Sequence, residues 1–235
     1  MAKKTAGTTQ MTGMERIAGT IFFLVYLLVM PLLASRLFDL LGRLLGASIG
    51  AQQRNIWYYY VLFAATLLLF HQYLAHTTSR FFETLGEASK AWALGLVAFY
   101  GANELFYRLC HLAFGSRVNL NDVTIAAQIE SVPRLTAAIV VFFAPFVEEV
   151  LFRGLVFGCL KEKSRLLGYA VSCVLFALLH VYSLARGGWS FTELLLLAQY
   201  FVPGAVFAWV YDRSGTLWTS ILLHMSVNAL ALWVG

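Results

Sequence analysis

Seven stretches of this 235-residue chain are apolar over lengths that can cross a lipid bilayer, and they limit its fold more than any other feature. They run roughly Ile17–Ala34, Trp57–Ala75, Ala91–Phe114, Leu135–Leu160, Leu166–Leu184, Leu194–Tyr211 and Thr216–Val234. A helix needs about 20 apolar residues to cross the hydrocarbon. The bilayer offers no water to backbone N–H and C=O groups, so only helices and closed barrels span it. Barrel strands would alternate in segments of about ten residues, which these runs do not. Composition agrees. The chain is 60% hydrophobic and 12% charged, whereas soluble domains are about a quarter charged. A soluble enzyme, a disordered chain and a collagen-like fibre are excluded. The expectation is an all-α, polytopic transmembrane helical bundle of seven to eight spans with one or two short interfacial helices. No repeat or linker marks a second domain, so residues 1–235 are expected to form a single integral membrane domain.

Two stretches between the runs read as interfacial helices. In Leu37–Gly46, five leucines (37, 40, 41, 44 and 45) fall on one face, while Asp39 and Arg43 form an i,i+4 pair on another. In Asn119–Val132, Asn121 or Asp122 caps a short helix carrying Ile125 and Ile129, and Pro133 ends it. Either could be an eighth span. Lys3, Lys4 and Arg16 precede the first run as in a signal peptide. That run has 18 uncharged residues and no small-x-small exit, so it reads as an uncleaved span. Cys110, Cys159 and Cys173 lie in or beside apolar runs, without disulfide or zinc spacing. The net charge of +5 points to cytoplasmic loops and anionic lipid, not to nucleic acid. With the N-terminus inside and seven spans, inside segments hold nine Lys and Arg (Lys3, Lys4, Arg16, Arg80, Lys90, Lys161, Lys163, Arg165, Arg213). Outside segments hold six (Arg36, Arg43, Arg54, Arg117, Arg134, Arg186).

The fourth run contains charges that an apolar helix should not tolerate. A charged side chain at mid-membrane costs at least about 2.5–3.5 kcal/mol, which makes it a functional candidate by default. Glu148, Glu149 and Arg153 fall within six residues there. Glu149 and Arg153 are i,i+4, about 40° apart around a helix, and can pair; Glu148 is turned about 100° onto another face. Pro145 lies one turn before them and is expected to disturb the helix. The fifth run carries Phe176 and His180 at i,i+4, and the last carries His224 and Asn228 at i,i+4. Unless these three polar stripes meet, each leaves buried polar groups unsatisfied, at several kcal/mol. A shared polar cavity is therefore expected.

Such a set suits peptide hydrolysis. Glu148 can act as the base that activates water and His180 can help to hold that water; His224 and Asn228 can donate to the tetrahedral oxyanion. Glu149 and Arg153 would support the site from behind. No Ser–Lys or Ser–His signature, no intramembrane Asp pair and no HExxH is present.

The ordered set Glu-Glu-x-x-x-Arg, Phe-x-x-x-His, His-x-x-x-Asn on three late apolar helices resembles the CPBP family. These are the CAAX-processing and bacteriocin-processing intramembrane endopeptidases, also known as the Abi family or type II CAAX prenyl endopeptidases. The resemblance covers about residues 133–235, and no motif residue departs from the pattern. It implies a bundle of about eight spans with its site inside the membrane. It also implies glutamate-dependent proteolysis without metal or cofactor. By motif position Glu148 resembles the catalytic glutamate, His180 the histidine that helps activate water, and His224 and Asn228 the oxyanion-stabilising pair. The expected partners are the bilayer and a peptide or protein substrate: prenylated, secreted or membrane-borne. The expected location is a bacterial cell membrane, multi-pass.

Rival readings are a non-catalytic membrane partner or immunity protein that binds a peptide or sensor in the same cavity, a zinc-dependent hydrolase using Glu148, His180 and His224, and proton-coupled transport. Glu104, Arg108 and His111 in the third run share the helical spacing but match no motif, and read as structural. His71, Gln72 and His76 read as interfacial, as does the aromatic cluster Trp57–Tyr60.

Overall fold

The computed structural model describes residues 11–46, 48–114, 137–182 and 189–234, and every regular element among them is helical. The second amphipathic stretch, the outer ends of the fourth and fifth runs, and Lys3, Lys4, Arg117, Arg134 and Arg186 lie outside the described residues. Helix α1 is Gly13–Leu24, followed by a π-helical turn over Val25–Val29; α2 is Met30–Leu45, α3 Ala51–Leu69, α4 His71–Glu83 and α5 Leu85–Phe114. Helix α6 is continuous over 139–161 but mixed. It is π-helical over Ile139–Phe143 and Glu149–Phe157, and α-helical over Ala144–Glu148 and Gly158–Lys161. Then follow α7 (Arg165–Tyr182), α8 (Phe191–Ser214) and α9 (Leu217–Val234).

By length and composition α7 and α8 can each cross a membrane. Two further spans are possible if each bent pair counts as one, which gives two to four. Both bends fall inside runs that read as straight in sequence. The first turns by 88° between Gly13–Val29 and Leu33–Leu45; the second turns by 80° at Phe70, between α3 and α4. The second bend has a clear cause. Thr12 and Glu15 form a capping box at the start of α1. The same buried Glu15 carboxylate also accepts the backbone N–H of Tyr73 at 2.9 Å, in the first turn of α4. One side chain thus satisfies orphan donors at two helix starts.

Helix α6 lies at the centre, with every residue from Pro145 to Leu155 buried. Helix α1 runs antiparallel along it: Arg16 meets Glu162, Gly19 faces Leu155, and Phe23 packs edge-on against Phe152. Gly19 permits a close crossing, since a Cβ there would come within 2.5 Å of the Phe70 ring. Helix α3 runs parallel to α6, with Tyr60 on Phe143, Phe63 on Phe146, and Phe70 near Gly19. One end of the bundle is basic. There Asp212 gathers Lys161 and Arg165, Arg16 pairs with Glu162, and Arg80 donates to the Gly215 carbonyl. At the other end Asp39 pairs with Arg54 of α3 at 2.7 Å, not with Arg43 as its spacing suggested. The cross-helix contact wins because Arg54 is held there by the Ile49 carbonyl.

Candidate active site

The two glutamates of α6 point to different partners. Glu149 and Arg153 are wholly buried, with Oε1 and Nη1 3.1 Å apart. Arg153 also donates to the Gly204 carbonyl of α8 at 3.1 Å, and its guanidinium lies 4.3 Å from the centre of the Phe176 ring. Phe176 thus cradles the buried cation, a π-face contact whose value rises when water is excluded. Glu149 Oε1 is also 2.9 Å from His224 Nδ1 of α9, while its Oε2 and Arg153 Nε have no partner among the described residues.

Glu148 is 7% exposed, and its carboxylate makes no hydrogen bond among the described residues. The group nearest in kind is His180 Nε2, 3.9 Å away and too far for a direct bond. The other ring nitrogen, Nδ1, lies 2.9 Å from the Phe176 carbonyl oxygen. A carbonyl only accepts, so Nδ1 carries the proton. In the neutral ring that tautomer presents a lone pair at Nε2. The imidazole stacks on Tyr200, 4.5 Å between ring centres, and His224 stacks on Phe207 at 4.4 Å. Among the described residues, no three His, Cys, Asp or Glu side chains gather closely enough to hold a metal ion.

Asn228 is engaged elsewhere. Its Nδ2 donates to the Val140 carbonyl at 2.8 Å. The π-helical register explains why that carbonyl is free. Ala144 N–H reaches back five residues to Ile139. Pro145, next in that register, would reach Val140 but has no N–H to give. Asn228 supplies the missing donor and ties α9 to α6 at the turn Ile139–Phe143, before the segment that ends at Glu148. One amide hydrogen remains for other partners.

The structure thus brings Glu148, Glu149, Arg153, Phe176, His180 and His224 into one cluster, with Asn228 held at Val140, eight residues before Glu148 on α6. Sequence reasoning missed what α8 contributes: the Gly204 carbonyl, the Tyr200 ring and the Phe207 ring. Pro203 followed by Gly204 inside an apolar helix was the available signal. It also missed three phenols. Tyr26, Tyr58 and Tyr59 lie within electrostatic range of the Glu148 carboxylate. In the cluster Trp57–Tyr60, read as a uniform interfacial belt, Trp57 and Tyr60 are exposed but Tyr58 and Tyr59 turn inward. Glu104 and Arg108 pair at 2.7 Å on the exposed side of α5, apart from the cluster.

Residues 130–230 match the family model described as type II CAAX prenyl endopeptidase Rce1-like. YdiL of Bacillus subtilis, named as a candidate membrane peptidase, is 28% identical over 124 residues, which cover 52% of this chain and 46% of that protein. The UPF0177 protein YxdF of Lactococcus lactis is 33% identical over 84 residues, 36% of this chain and 41% of its own. A 24.3 kDa protein of Escherichia coli is 31% identical over 104 residues, 43% of this chain and 44% of its own. The chain thus spans less than half the length of each of these relatives. No solved structure matches it significantly. Residues 130–230, which hold every clustered motif side chain, are thus similar to the Rce1-like type II CAAX prenyl endopeptidases.

Proposed function

We propose that this chain is an intramembrane endopeptidase, a single domain of seven to eight spans whose protease core is about residues 133–235. It would hydrolyse a peptide bond in a membrane-associated or lipidated peptide, with water activated by Glu148 and His180 and without a metal. One observation carries the reading: the Glu148 carboxylate lies 3.9 Å from Nε2 of His180, whose Nδ1 is committed to the Phe176 carbonyl. Two acceptors at that separation suit one water molecule that donates a hydrogen to each. Its oxygen lone pairs are then left to attack a carbonyl carbon.

The steps follow from this geometry. Glu148 takes a proton as the water oxygen bonds to the scissile carbonyl carbon. The oxyanion that forms meets His224 and the uncommitted amide hydrogen of Asn228. His224 can donate from Nε2 when both ring nitrogens carry protons, with Nδ1 donating to the Glu149 carboxylate. Glu148 then returns its proton to the amide nitrogen as the C–N bond breaks. Arg153 holds Glu149 in place. Glu148 lies 13 residues from Lys161 along α6, roughly 20 Å from the basic end at 1.5 Å per residue, within the depth of a hydrocarbon core of about 30 Å. By the excess of positive charge, the basic end is expected to face the cytoplasm of a bacterial cell membrane.

The test is peptide-terminus profiling of membrane fractions from cells expressing wild type or Glu148→Gln, with and without a metal chelator. Glu148→Gln keeps shape and removes the base. We expect wild type to generate new termini that Glu148→Gln does not, and the chelator to leave them unchanged. Equal termini in both strains would overturn proteolysis in favour of a binding role; loss on chelation would favour a zinc hydrolase.

A further inference from the structure

The proposed chemistry is rich in acceptors and short of donors. Glu148 accepts, as does His180 when neutral; one Asn228 amide hydrogen is given to Val140; and His224, unless it gains a second proton, spends its only N–H on Glu149. A developing oxyanion needs at least one further donor that requires no extra proton. The N-terminal helices, which carry no family motif, supply one.

Tyr26 is 5% exposed and lies in the main hydrophobic core beside Phe23 and Val147. Its position follows from the antiparallel register of α1 on α6. Arg16 lies against Glu162, Gly19 against Leu155 and Phe23 against Phe152, so the next turn of α1 brings Tyr26 level with Glu148. Tyr26 sits within the π-helical turn Val25–Val29, opposite the stretch where α6 also changes register. Such turns re-aim side chains, and they recur at functional sites. Its electrostatic coupling to the Glu148 carboxylate agrees with this placement. A buried phenol usually finds a partner for its hydroxyl.

We propose that Tyr26 is a further catalytic residue, whose hydroxyl donates a hydrogen bond to the carbonyl oxygen of the scissile peptide as that oxygen gains charge. The inference rests on the proteolytic reading. The hydroxyl keeps its proton throughout. Its contribution is a fixed dipole in a water-poor site, where such donors act most strongly. The N-terminal spans then complete the active site and do more than wrap it.

The probe is a synthetic peptide spanning a cleavage site found in the Glu148→Gln comparison, cleaved by full-length protein in liposomes. Tyr26→Phe removes the hydroxyl and keeps the ring. Phe23→Leu, one turn away on the same face, is the packing control. Rates are normalised to folded protein, measured by thermal unfolding. We expect Tyr26→Phe to lower kcat about 10²-fold with KM unchanged, and Phe23→Leu to leave kcat near wild type. Wild-type kcat in Tyr26→Phe would overturn the proposal while leaving proteolysis intact. So would an equal loss in Phe23→Leu, or failure of Tyr26→Phe to fold, since either assigns the effect to structure. Cleavage of the peptide by Glu148→Gln at the wild-type rate would sink the proteolytic reading itself.

Discussion

The ion pairs of this chain differ in consequence because they differ in surroundings. Arg153 and Glu149 are wholly buried, so removing one partner strands a charge away from water. Arg153→Met is expected to cost about 3–5 kcal/mol, read as a fall in the unfolding midpoint of detergent-solubilised protein. Glu104 and Arg108 have the same spacing but lie exposed, where such pairs contribute about 0–1 kcal/mol. Arg108→Met should therefore leave the midpoint almost unmoved. Comparable losses from the two variants would contradict the assigned burial. Asn228 makes a finer prediction. Asn228→Leu leaves the Val140 carbonyl without its donor, at about 1–3 kcal/mol. In a Pro145→Ala background the backbone N–H returns and can take over that carbonyl. The loss should shrink there, and a double-mutant cycle measures the coupling. Strict additivity would mean that Pro145 and Asn228 do not share this carbonyl.

At the scale of elements, helix register is set by few contacts. The crossing of α1 with the α3–α4 bend depends on Gly19, where an added Cβ would sit 2.5 Å from the Phe70 ring. Gly19→Ala should destabilise by about 1–3 kcal/mol through overpacking. Shortening the opposing ring with Phe70→Leu should restore part of that loss. If Gly19→Ala is neutral, the helices do not approach as closely as described. The same crossing fixes how far α1 reaches along α6, and so the level at which Tyr26 stands.

For the whole molecule, charge distribution makes a directional prediction. Arg16, Arg80, Lys161 and Arg165 converge at one end, while Asp39 and Arg54 pair at the other. Cysteines introduced singly at Lys163 and Ser48, with native thiols removed, should react with a membrane-impermeant maleimide from opposite sides. Lys163→Cys should be reached only from the cytoplasmic face. Labelling of Lys163→Cys in intact cells would reverse the orientation.

Much of this was legible in the linear sequence. Apolar runs dictate helices because a chain in lipid must satisfy its backbone locally. Glu148, Glu149, Arg153, His180, His224 and Asn228 stand out because an ionisable or polar group in such a run is costly and persists for a reason. The split between a paired Glu149 and an unpaired Glu148 followed from helical periodicity alone. Periodicity did not reveal the bend at the end of α3, where Glu15 caps a helix start 58 residues away. Nor did it reveal the partner of Asp39, the commitment of Asn228 to Val140, the contributions of α8 or the level at which Tyr26 stands. Local physics fixes which residues are helical and which polar groups need partners. The choice of partner depends on how helices distant in sequence pack, and only the folded bundle decides that.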